Sequence, residues 1–364
     1  MPVASAMLEN VPISVQLFDD NLRLFTAMME DIRQAEKYVY LETYRLNDDS
    51  IGHRFKDVLV EKARQGVEIR LLVDAYGTKP AEFLTELENA GVKLLFFKKI
   101  KFFLSNSFAK NNTRNHRKLL LIDDKITYIG SSNLTAYCLN WRDLNLRLEN
   151  PITRKFKGCF LHSAKQYKLY DMVPFERNKI INYHGYGIIQ DTPTAYFQEV
   201  RNYMLKMINN AKEEILAETP YFLPGHKIRK ALTNAASRGV KVVLHVPRHS
   251  DVSMVDLLRH KYLGPMFKAG VQWKFYKPDM LHAKCLLIDK KRFLMGSANM
   301  DYRSFRYQYE IMLYGENPEI VELLDRHIAQ TAEVSEDFDY EKWLNTPKIT
   351  RFMEWLLTPF RHLF

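Results

Sequence analysis

Cysteine is scarce in this chain, and long apolar runs are absent. Its three cysteines, Cys138, Cys159 and Cys285, are an odd number without paired spacing, which predicts reduced thiols in a reducing compartment rather than disulfides. No stretch reaches the roughly 18–20 uninterrupted apolar residues that a membrane-spanning helix needs. Residues 1–16 also lack the basic and apolar regions of a secretion signal. We therefore expect any contact with a membrane to be made at its surface.

Acidic residues are too few to balance the basic ones. Lys and Arg number 53 against 43 Asp and Glu, so the net charge is +10, which favours a polyanionic partner such as an acidic membrane or nucleic acid. The composition, 46% hydrophobic and 26% charged, excludes the disordered and fibrous classes. A chain of 364 residues can form one large or two medium domains.

The two halves of the sequence repeat one another. In each half an apolar run is followed by a helical stretch, a glycine (Gly66 or Gly239) and a second strand-like run. This alternation predicts an α/β fold, and each glycine suits a left-handed cap at the end of a helix. We predict two similar domains packed face to face and joined by a less patterned stretch. Their boundaries are 1–170 and 171–345, the joining stretch is about 154–192, and a tail follows at 346–364.

One motif occurs once in each half. The two copies share six positions at identical spacing: His116, Lys118, Asp123, Gly130, Ser131 and Asn133, and His282, Lys284, Asp289, Gly296, Ser297 and Asn299. Alternate residues of a strand share a face, so each histidine and its lysine are predicted to point together at the start of a buried strand. Asp123 and Asp289 have the opposite parity and stand at turns. We interpret these aspartates, with Ser131 and Ser297, as structural.

Two copies of this motif supply what metal-free phosphodiester chemistry requires. One neutral imidazole can attack phosphorus, and a second, protonated imidazole can donate to the leaving alkoxide. Two lysines and two asparagines can hold the phosphoryl oxygens as charge develops. A zinc site is the rival interpretation of paired histidines, but no second ligand stands at metal spacing, and an adjacent ammonium would repel the cation. We therefore expect no metal and no other cofactor.

The paired motifs resemble the HKD signature of the phospholipase D superfamily over nearly the whole chain. The strings at 141–143, 219–224 and 296–305 are similar to bacterial cardiolipin synthases, and the lack of N-terminal membrane helices resembles their short, peripheral type. The resemblance implies two phospholipase D-like α/β sandwich domains packed as a pseudo-dimer, with both motifs at the interface. It also implies a covalent phosphohistidine intermediate.

The same resemblance implies a carboxylate about eleven residues past each asparagine, bonded to the histidine of the same or the opposing motif. Glu310 stands eleven residues after Asn299, and Asp143 stands ten after Asn133. Each carboxylate would fix the tautomer and orientation of an imidazole. A solvated carboxylate at a strand end is the alternative, more so for Asp143.

The function implied is that of a cardiolipin synthase-like phosphatidyltransferase. Phosphatidylglycerol would donate its phosphatidyl group to His116, with His282 as the general acid or with these roles exchanged, and a second phospholipid alcohol would accept it. The protein would lie peripherally on the cytoplasmic face of the cell membrane, bound to its anionic surface, without obligatory nucleic acid. We expect a monomer, with a higher oligomer still open. The alternatives are a metal-independent phospholipase D hydrolase, an HKD-type nuclease and a non-catalytic binding module.

Two segments bear on membrane contact. Residues 96–114 carry five phenylalanines and five basic residues without an acid, a pattern that favours an anionic membrane. A groove for single-stranded nucleic acid and a buried aromatic loop are the alternatives. In the tail, Thr346 as N-cap and Pro347 at N1 predict an amphipathic helix that Pro359 would end or kink. This helix would lie in a bilayer interface or pack on the protein body.

Overall fold

Two halves of alternating strands and helices make up the part of the chain that the computed structural model describes, residues 14–79, 81–97, 113–168, 179–193 and 198–360. The first half begins at Ser14 and runs through the helix that ends at Lys168. Its strands are Ser14–Phe18 (β1), Tyr38–Thr43 (β2), Glu68–Asp74 (β3), Lys93–Phe97 (β4), Arg114–Asn115 (β5), Leu119–Ile122 (β6), Ile126–Gly130 (β7) and Asn145–Glu149 (β8). Its α-helices are Asn21–Arg33 (α1), Ser50–Arg64 (α2), Glu82–Asn89 (α3) and Thr153–Lys168 (α4).

The second half follows the same order and ends in additional short helices. Its strands are Lys179–Tyr183 (β9), Tyr186–Asp191 (β10), Glu214–Glu218 (β11), Phe222–Leu223 (β12), Lys241–Pro247 (β13), Val271–Tyr276 (β14), Cys285–Ile288 (β15), Arg292–Gly296 (β16), Met300–Asp301 (β17), Gln308–Gly315 (β18) and Ser335–Asp337 (β19). Its α-helices are Glu199–Asn209 (α5), His226–Ser237 (α6), Ser253–Lys268 (α7), Tyr302–Tyr307 (α8), Pro318–Glu333 (α9), Tyr340–Leu344 (α10) and Lys348–Leu357 (α11).

Each half is built around one mixed sheet. Among the described residues the first sheet has the order β1-β8-β7-β6-β2-β3-β4, and the second has β19-β14-β13-β11-β15-β16-β18-β10-β9. In both, the motif strand (β6 or β15) lies antiparallel between a repeat-initial strand (β2 or β11) and the next hairpin strand. The predicted α/β architecture of two similar sandwich domains is confirmed.

One apolar core joins the halves. It combines residues of β6 and β8 with residues of β15 and β18, and it includes α4 residues such as Phe156 and α9 residues such as Leu324. Separate clusters lie on the outer faces, one beneath α1, α2 and α3 and the other beneath α5, α6 and α7. Because both sheets share an inner core, the halves form a single body, which is what positions the two motifs against each other.

Left-handed residues stand where the repeat predicts turns. Gly66 and Gly239, which follow α2 and α6, both have φ of 89°, so the predicted glycine caps are confirmed. The β6–β7 hairpin turns through Asp123 and Asp124 with φ of 54° and 55°, as a type I′ turn does. The β15–β16 hairpin repeats this turn at Asp289 and Lys290.

The stretch predicted to lack pattern, residues 154–192, does contain regular structure. It holds α4 from Thr153 and the β9–β10 hairpin, which extends the second sheet through β18. The prediction was wrong, since the buried Phe156, Cys159 and Phe160 of α4 follow a helical period with basic residues between them. The domain boundaries at 170 and 345 stay predictions.

The tail is helical, but its cap differs from the predicted one. Helix α11 begins at Lys348 with Pro347 as N-cap, so Thr346 is not the cap, and its hydroxyl instead donates to the carbonyl of Trp343. The helix ends at Leu357, ahead of Pro359 as predicted. Residues 98–112, most of the basic aromatic segment, lie outside the described residues. Within the described ranges, no helix is long and apolar enough to cross a bilayer.

Candidate active site

The two motif histidines are held by backbone contacts that cross between the halves. The short strand β5, which leads into His116, pairs in parallel with the start of β18, and the amide of His116 donates to the carbonyl of Tyr309 over 3.0 Å. In the other direction, the amide of His282 donates to the carbonyl of Arg142 over 2.8 Å. Each histidine amide therefore bonds to the residue directly before a carboxylate of the opposite half, since Tyr309 precedes Glu310 and Arg142 precedes Asp143.

This register places a carboxylate of the opposing half at the Nδ1 atom of each imidazole. His116 Nδ1 lies 3.1 Å from Glu310 Oε1 and 3.3 Å from Oε2. His282 Nδ1 lies 2.6 Å from Asp143 Oδ1. Both carboxylates are fully buried, so the alternative of a solvated carboxylate at a strand end is excluded for both. Of the two partners that the resemblance left open, the structure selects the opposing histidine.

The motif serines orient the carboxylates. The hydroxyl of Ser131 donates to Asp143 Oδ1 over 2.6 Å, and the hydroxyl of Ser297 donates to Glu310 Oε2. The glycine before each serine permits this approach: a Cβ on Gly130 would stand 2.2 Å from Asn145 Oδ1, and one on Gly296 2.4 Å from a backbone oxygen. Substituting either glycine would displace the carboxylate support.

The lysines turn back toward their own histidines. Lys118 Nζ donates to the carbonyl oxygen of His116 over 2.7 Å, and Lys284 Nζ donates to that of His282 over 2.6 Å. The strands β6 and β15 begin only after the lysines, so the prediction that His-x-Lys forms the start of a strand was wrong. The reason is that the histidine amides bond across to the other half rather than within their own sheet.

The motif aspartates accept hydrogen bonds from backbone amides at the end of each motif strand that lies away from its histidine. Asp123 accepts hydrogen bonds from the amides of Glu36, Lys37 and Tyr38 at 2.6–2.8 Å. Asp289 accepts from the equivalent amides of residues 212–214 at 2.8–3.1 Å. Each carboxylate thus ties a hairpin turn to the start of the neighbouring strand, at the opposite end of the motif strand from the histidine.

The motif asparagines are buried, and one end of each amide lacks a partner. Asn133 is 6% exposed and Asn299 is 3% exposed, and within the described residues neither Oδ1 atom has a hydrogen-bond partner. A buried amide group without a partner is costly, and it gains stability when a polar ligand supplies the missing hydrogen bond. Each Oδ1 atom can therefore accept from a substrate hydroxyl, while the NH2 end of an amide is the end that could donate to a phosphoryl oxygen.

Several supporting residues escaped prediction from sequence. Asn21, at the start of α1, donates to Asp143 Oδ2 over 2.9 Å, and its own Oδ1 accepts from Ser132. Tyr44 and Trp141 flank the imidazoles, with ring centroids 5.4 Å from His116 and 4.9 Å from His282. An isolated asparagine or tyrosine carries no periodic signal. Trp141 stood in a family string, but its place against an imidazole depends on tertiary packing.

The buried Arg117 and the partly buried Arg142 hold the crossing backbone segments. Arg117 donates to the carbonyl of Glu310 over 3.2 Å and also to that of Asp191 over 2.8 Å. Arg142 donates to Thr331 Oγ1 over 2.7 Å and to the carbonyl of His327 over 3.0 Å. Through these contacts each arginine anchors a site segment of the first half to the second half.

Burial sets the charges of the site. It lowers the pKa of both imidazoles, and the lysine ammonium groups lower it further, to well below the ordinary value for His116. At His282 the charge of Asp143 and its hydrogen bond oppose this lowering. Burial raises the pKa of Glu310, whereas at Asp143 the raising effect of burial is overcome by the charge and hydrogen bond of His282. His282 therefore has the more strongly charged partner.

Comparison with known proteins gives a consistent result. Residues 28–162 and again 204–332 match the family described as "Cardiolipin synthase, PLD-like domain". The chain is 30% identical to the major cardiolipin synthase ClsA of Bacillus subtilis, over 94% of this chain and 73% of that protein. It is 30% identical to the probable cardiolipin synthase YwiE of the same organism, over 92% of this chain and 69% of that protein. The crystal structure of phosphatidylserine synthase from Haemophilus influenzae superposes over 98% of both chains with a TM-score of 0.75 at 11% identity, which shows a shared fold.

Proposed function

This chain belongs to the cardiolipin synthase family of the phospholipase D superfamily, and we propose that it transfers the phosphatidyl group of phosphatidylglycerol to a second phospholipid alcohol. It is a phosphatidyltransferase of cardiolipin synthase type. The proposal concerns the donor, the acceptor, the intermediate and the role of each residue at the site.

The observation that carries the proposal is the crossed pairing of each histidine with a carboxylate of the other half. Nδ1 is engaged in both imidazoles, by Glu310 at His116 and by Asp143 at His282, which leaves Nε2 of each available for chemistry. The charges of Lys118 and Lys284 lower the pKa of both imidazoles. We therefore take the two histidines and the two lysines to act on one substrate. A nucleophile and a general acid on opposite sides of one phosphate are what two-step phosphatidyl transfer needs.

In the first step, His116 is the nucleophile. Its Nε2 lone pair forms a bond to phosphorus while the bond from phosphorus to the glycerol oxygen breaks, and protonated His282 gives its Nε2 proton to that oxygen. Glycerol leaves, and the phosphatidyl group stays on His116. Lys118 and Lys284, with the amides of Asn133 and Asn299, would hold the phosphoryl oxygens as negative charge develops on them.

In the second step, His282 acts as a general base. It takes the proton of the acceptor hydroxyl, the acceptor oxygen bonds to phosphorus, and the bond from phosphorus to His116 breaks, which restores both imidazoles. This assignment of roles rests on the difference between the partners: burial lowers the pKa of both imidazoles, but at His282 the charge of Asp143 opposes this lowering, so the imidazolium form is less disfavoured there than at His116.

A membrane location follows from the proposed substrates. Both lipids lie in a bilayer, and the net charge of +10 would attract the protein to an anionic surface. We place the protein peripherally on the cytoplasmic face of the cell membrane, as a monomer whose single site uses both halves.

Product analysis on vesicles of phosphatidylglycerol tests the function. The full chain should form cardiolipin and glycerol in equal amounts, and His116→Asn or His282→Asn should reduce the rate by roughly four orders of magnitude. His226→Asn, at an exposed histidine of α6, is the matched control and should keep the wild-type rate. Phosphatidic acid as the sole product would identify a hydrolase. An unaltered lipid with cleaved single-stranded DNA would identify a nuclease, and either result would contradict the proposal.

A further inference from the structure

Helix α11 presents an apolar face that no described residue covers. Ile349, Phe352, Met353 and Leu356 recur at helical spacing, and they are 67%, 52%, 37% and 44% exposed. Trp355, beside this stripe, is 68% exposed. Of the two alternatives for the tail, packing of its apolar stripe on the protein body is therefore wrong. A helix in a globular protein ordinarily buries such a stripe.

The side of α11 that faces the protein body carries the acidic residue of the helix. Glu354, the one acidic residue between Lys348 and Leu357, is 6% exposed, and its Oε1 lies 2.6 Å from His260 Nδ1 of α7. Because the carboxylate of Glu354 faces inward, the outward side of the helix carries no acidic side chain. Apart from Thr350, the other residues of the helix are apolar or basic (Lys348 and Arg351), a combination typical of helices that lie in the interface of an anionic bilayer.

A cavity lined by two basic side chains and by the His260–Glu354 pair lies at the base of this helix. It has a volume of about 260 Å³ and is lined by His260, Lys261, Trp343, Arg351, Glu354 and Trp355. Arg351 is fixed there, since its guanidinium donates to the carbonyl of Leu344 over 2.9 Å and lies 5.2 Å from the ring centroid of Trp343. Two cations beside exposed tryptophan are suited to a phosphate group at the level where lipid headgroups meet acyl chains.

The helix is continuous with a wall of the active site. Leu357, at its end, packs on a cluster that contains Leu223 and is contacted by Tyr221. Tyr221 also packs against the cluster of Trp141, whose ring lies 4.9 Å from that of His282. Leu357, Tyr221 and Trp141 thus belong to apolar contacts that lead from the end of α11 to the imidazole of His282.

From these observations we infer that α11 docks the protein on a bilayer: its apolar stripe enters the acyl boundary, and the Lys261–Arg351 cavity binds the phosphate of an anionic phospholipid. The inference rests on the proposed function, because a lipid-using site must be brought to a bilayer surface. It is separate from the catalytic chemistry, since none of the α11 residues contacts the motif histidines.

Binding to vesicles tests the stripe. Phe352→Gln combined with Trp355→Gln should weaken sedimentation of the full chain with vesicles of phosphatidylcholine and phosphatidylglycerol by roughly tenfold. The matched control is Leu161→Gln with Ile180→Gln, which removes two exposed apolar side chains from other surfaces and should leave binding unchanged. Equal binding by both double variants would overturn the inference. So would self-association of the wild type that the α11 variant loses while vesicle binding persists, because a second copy would then cover the face.

Lys261→Gln tests the cavity. It should lower the preference for vesicles that contain phosphatidylglycerol over phosphatidylcholine alone by roughly fivefold, the effect of one lysine near an anionic surface. Lys230→Gln, on exposed α6, should leave that preference unchanged. An unchanged preference in Lys261→Gln would overturn the assignment of the cavity.

Activity on two forms of one donor separates this inference from the proposed function. With short-chain phosphatidylglycerol dissolved as monomers, the α11 double variant should keep the wild-type rate of transfer, while its rate on vesicles falls with binding. A loss on monomers as well would mean that the helix acts on the site itself and would overturn docking as its role. If the wild type transferred no lipid in either form, the proposed function would fail, whereas the loss of vesicle binding in the variant would still support docking.

Discussion

At the scale of residues, the site is nearly symmetric in composition and asymmetric in charge. Both histidines have a carboxylate at Nδ1 and a lysine on their own carbonyl, yet Asp143 receives an additional hydrogen bond from Asn21 and stands closer to its imidazole than Glu310 does. A shorter, more fully charged contact stabilises imidazolium more. The two motifs can therefore divide the roles of nucleophile and acid although their sequences are almost alike.

Trapping the intermediate tests this division. With a donor whose leaving group needs no proton, such as phosphatidyl p-nitrophenol, His282→Asn should still form the adduct on His116 but resolve it slowly, because no base activates the acceptor. Mass spectrometry of the quenched protein should find the phosphatidyl group on His116. His116→Asn is the comparison and should form none. An adduct on His282 in that variant would show that the roles are exchanged.

The pH dependence of the reaction should reflect Lys284. Burial lowers its pKa to about 8, with Asp143 and Glu310 opposing, so its ammonium is charged below that pH and neutral above it. Because the charged lysines are proposed to hold the phosphoryl oxygens, kcat/KM should fall as Lys118, whose pKa burial lowers to about 7, and then Lys284 lose their charge with rising pH. In Lys284→Arg the side chain stays charged, so the part of the fall in kcat/KM that Lys284 causes should move to higher pH, even if the maximum rate declines. An alkaline limb that does not move would assign it to another group.

At the scale of elements, the motif aspartate links a turn to a strand. The type I′ turns at Asp123 and Asp289 place each carboxylate under three consecutive amides at the start of β2 or β11. This contact fixes the register of the motif strand against its neighbour, and a shift of one residue would turn the site side chains to the other face. The aspartate of the signature therefore serves the site from the far end of the strand.

Removing one such aspartate should cost stability. Asp289→Ala leaves the amides of residues 212–214 without their acceptor, so the free energy of unfolding should fall by about 2 kcal/mol. Asp57→Ala, at an exposed aspartate of α2, should change it by less than about 0.5 kcal/mol. Urea denaturation followed by circular dichroism measures both. Equal stability of the two variants, with lost activity in Asp289→Ala alone, would instead indicate a direct part in the chemistry.

At the scale of the whole molecule, two sheets share an inner core and exchange site residues. β5 of the first half pairs with β18 of the second, and Arg142 pairs with Leu281 in the reverse direction. Each half has one histidine and one carboxylate of the site, but each histidine pairs with the carboxylate of the other half. Duplication of a domain has thus produced one site rather than two.

The binding of a phosphate analogue should show this single site. Isothermal titration of the full chain with tungstate or vanadate should give one equivalent per chain, because we propose that both lysines hold one phosphoryl group. His116→Asn and His282→Asn should each weaken that same binding event. Two equivalents, of which each variant loses one, would show that the halves act independently.

The sequence by itself determined the repeat, the α/β class, the glycine caps and the identity of the motif residues. These features depend on local periodicity and on identical spacing, which need no knowledge of distant contacts. The mistaken strand start at His116 marks the limit of that information, because its backbone partner lies in the other half. The mistaken linker at 154–192 is a different case, since the buried residues of α4 follow a helical period that the sequence does contain.

Only the tertiary structure decided which carboxylate serves which histidine, that Asn21 and Trp141 belong to the site, and which side of α11 faces outward. Glu310 lies 194 residues from His116, and Asp143 lies 139 from His282, so no local pattern can pair them. In α11 the spacing of apolar residues predicted an amphipathic helix equally well for burial or exposure. The pairing of Glu354 with His260 turns the acid inward and leaves the apolar stripe exposed, because a buried carboxylate is stable only where a partner meets it.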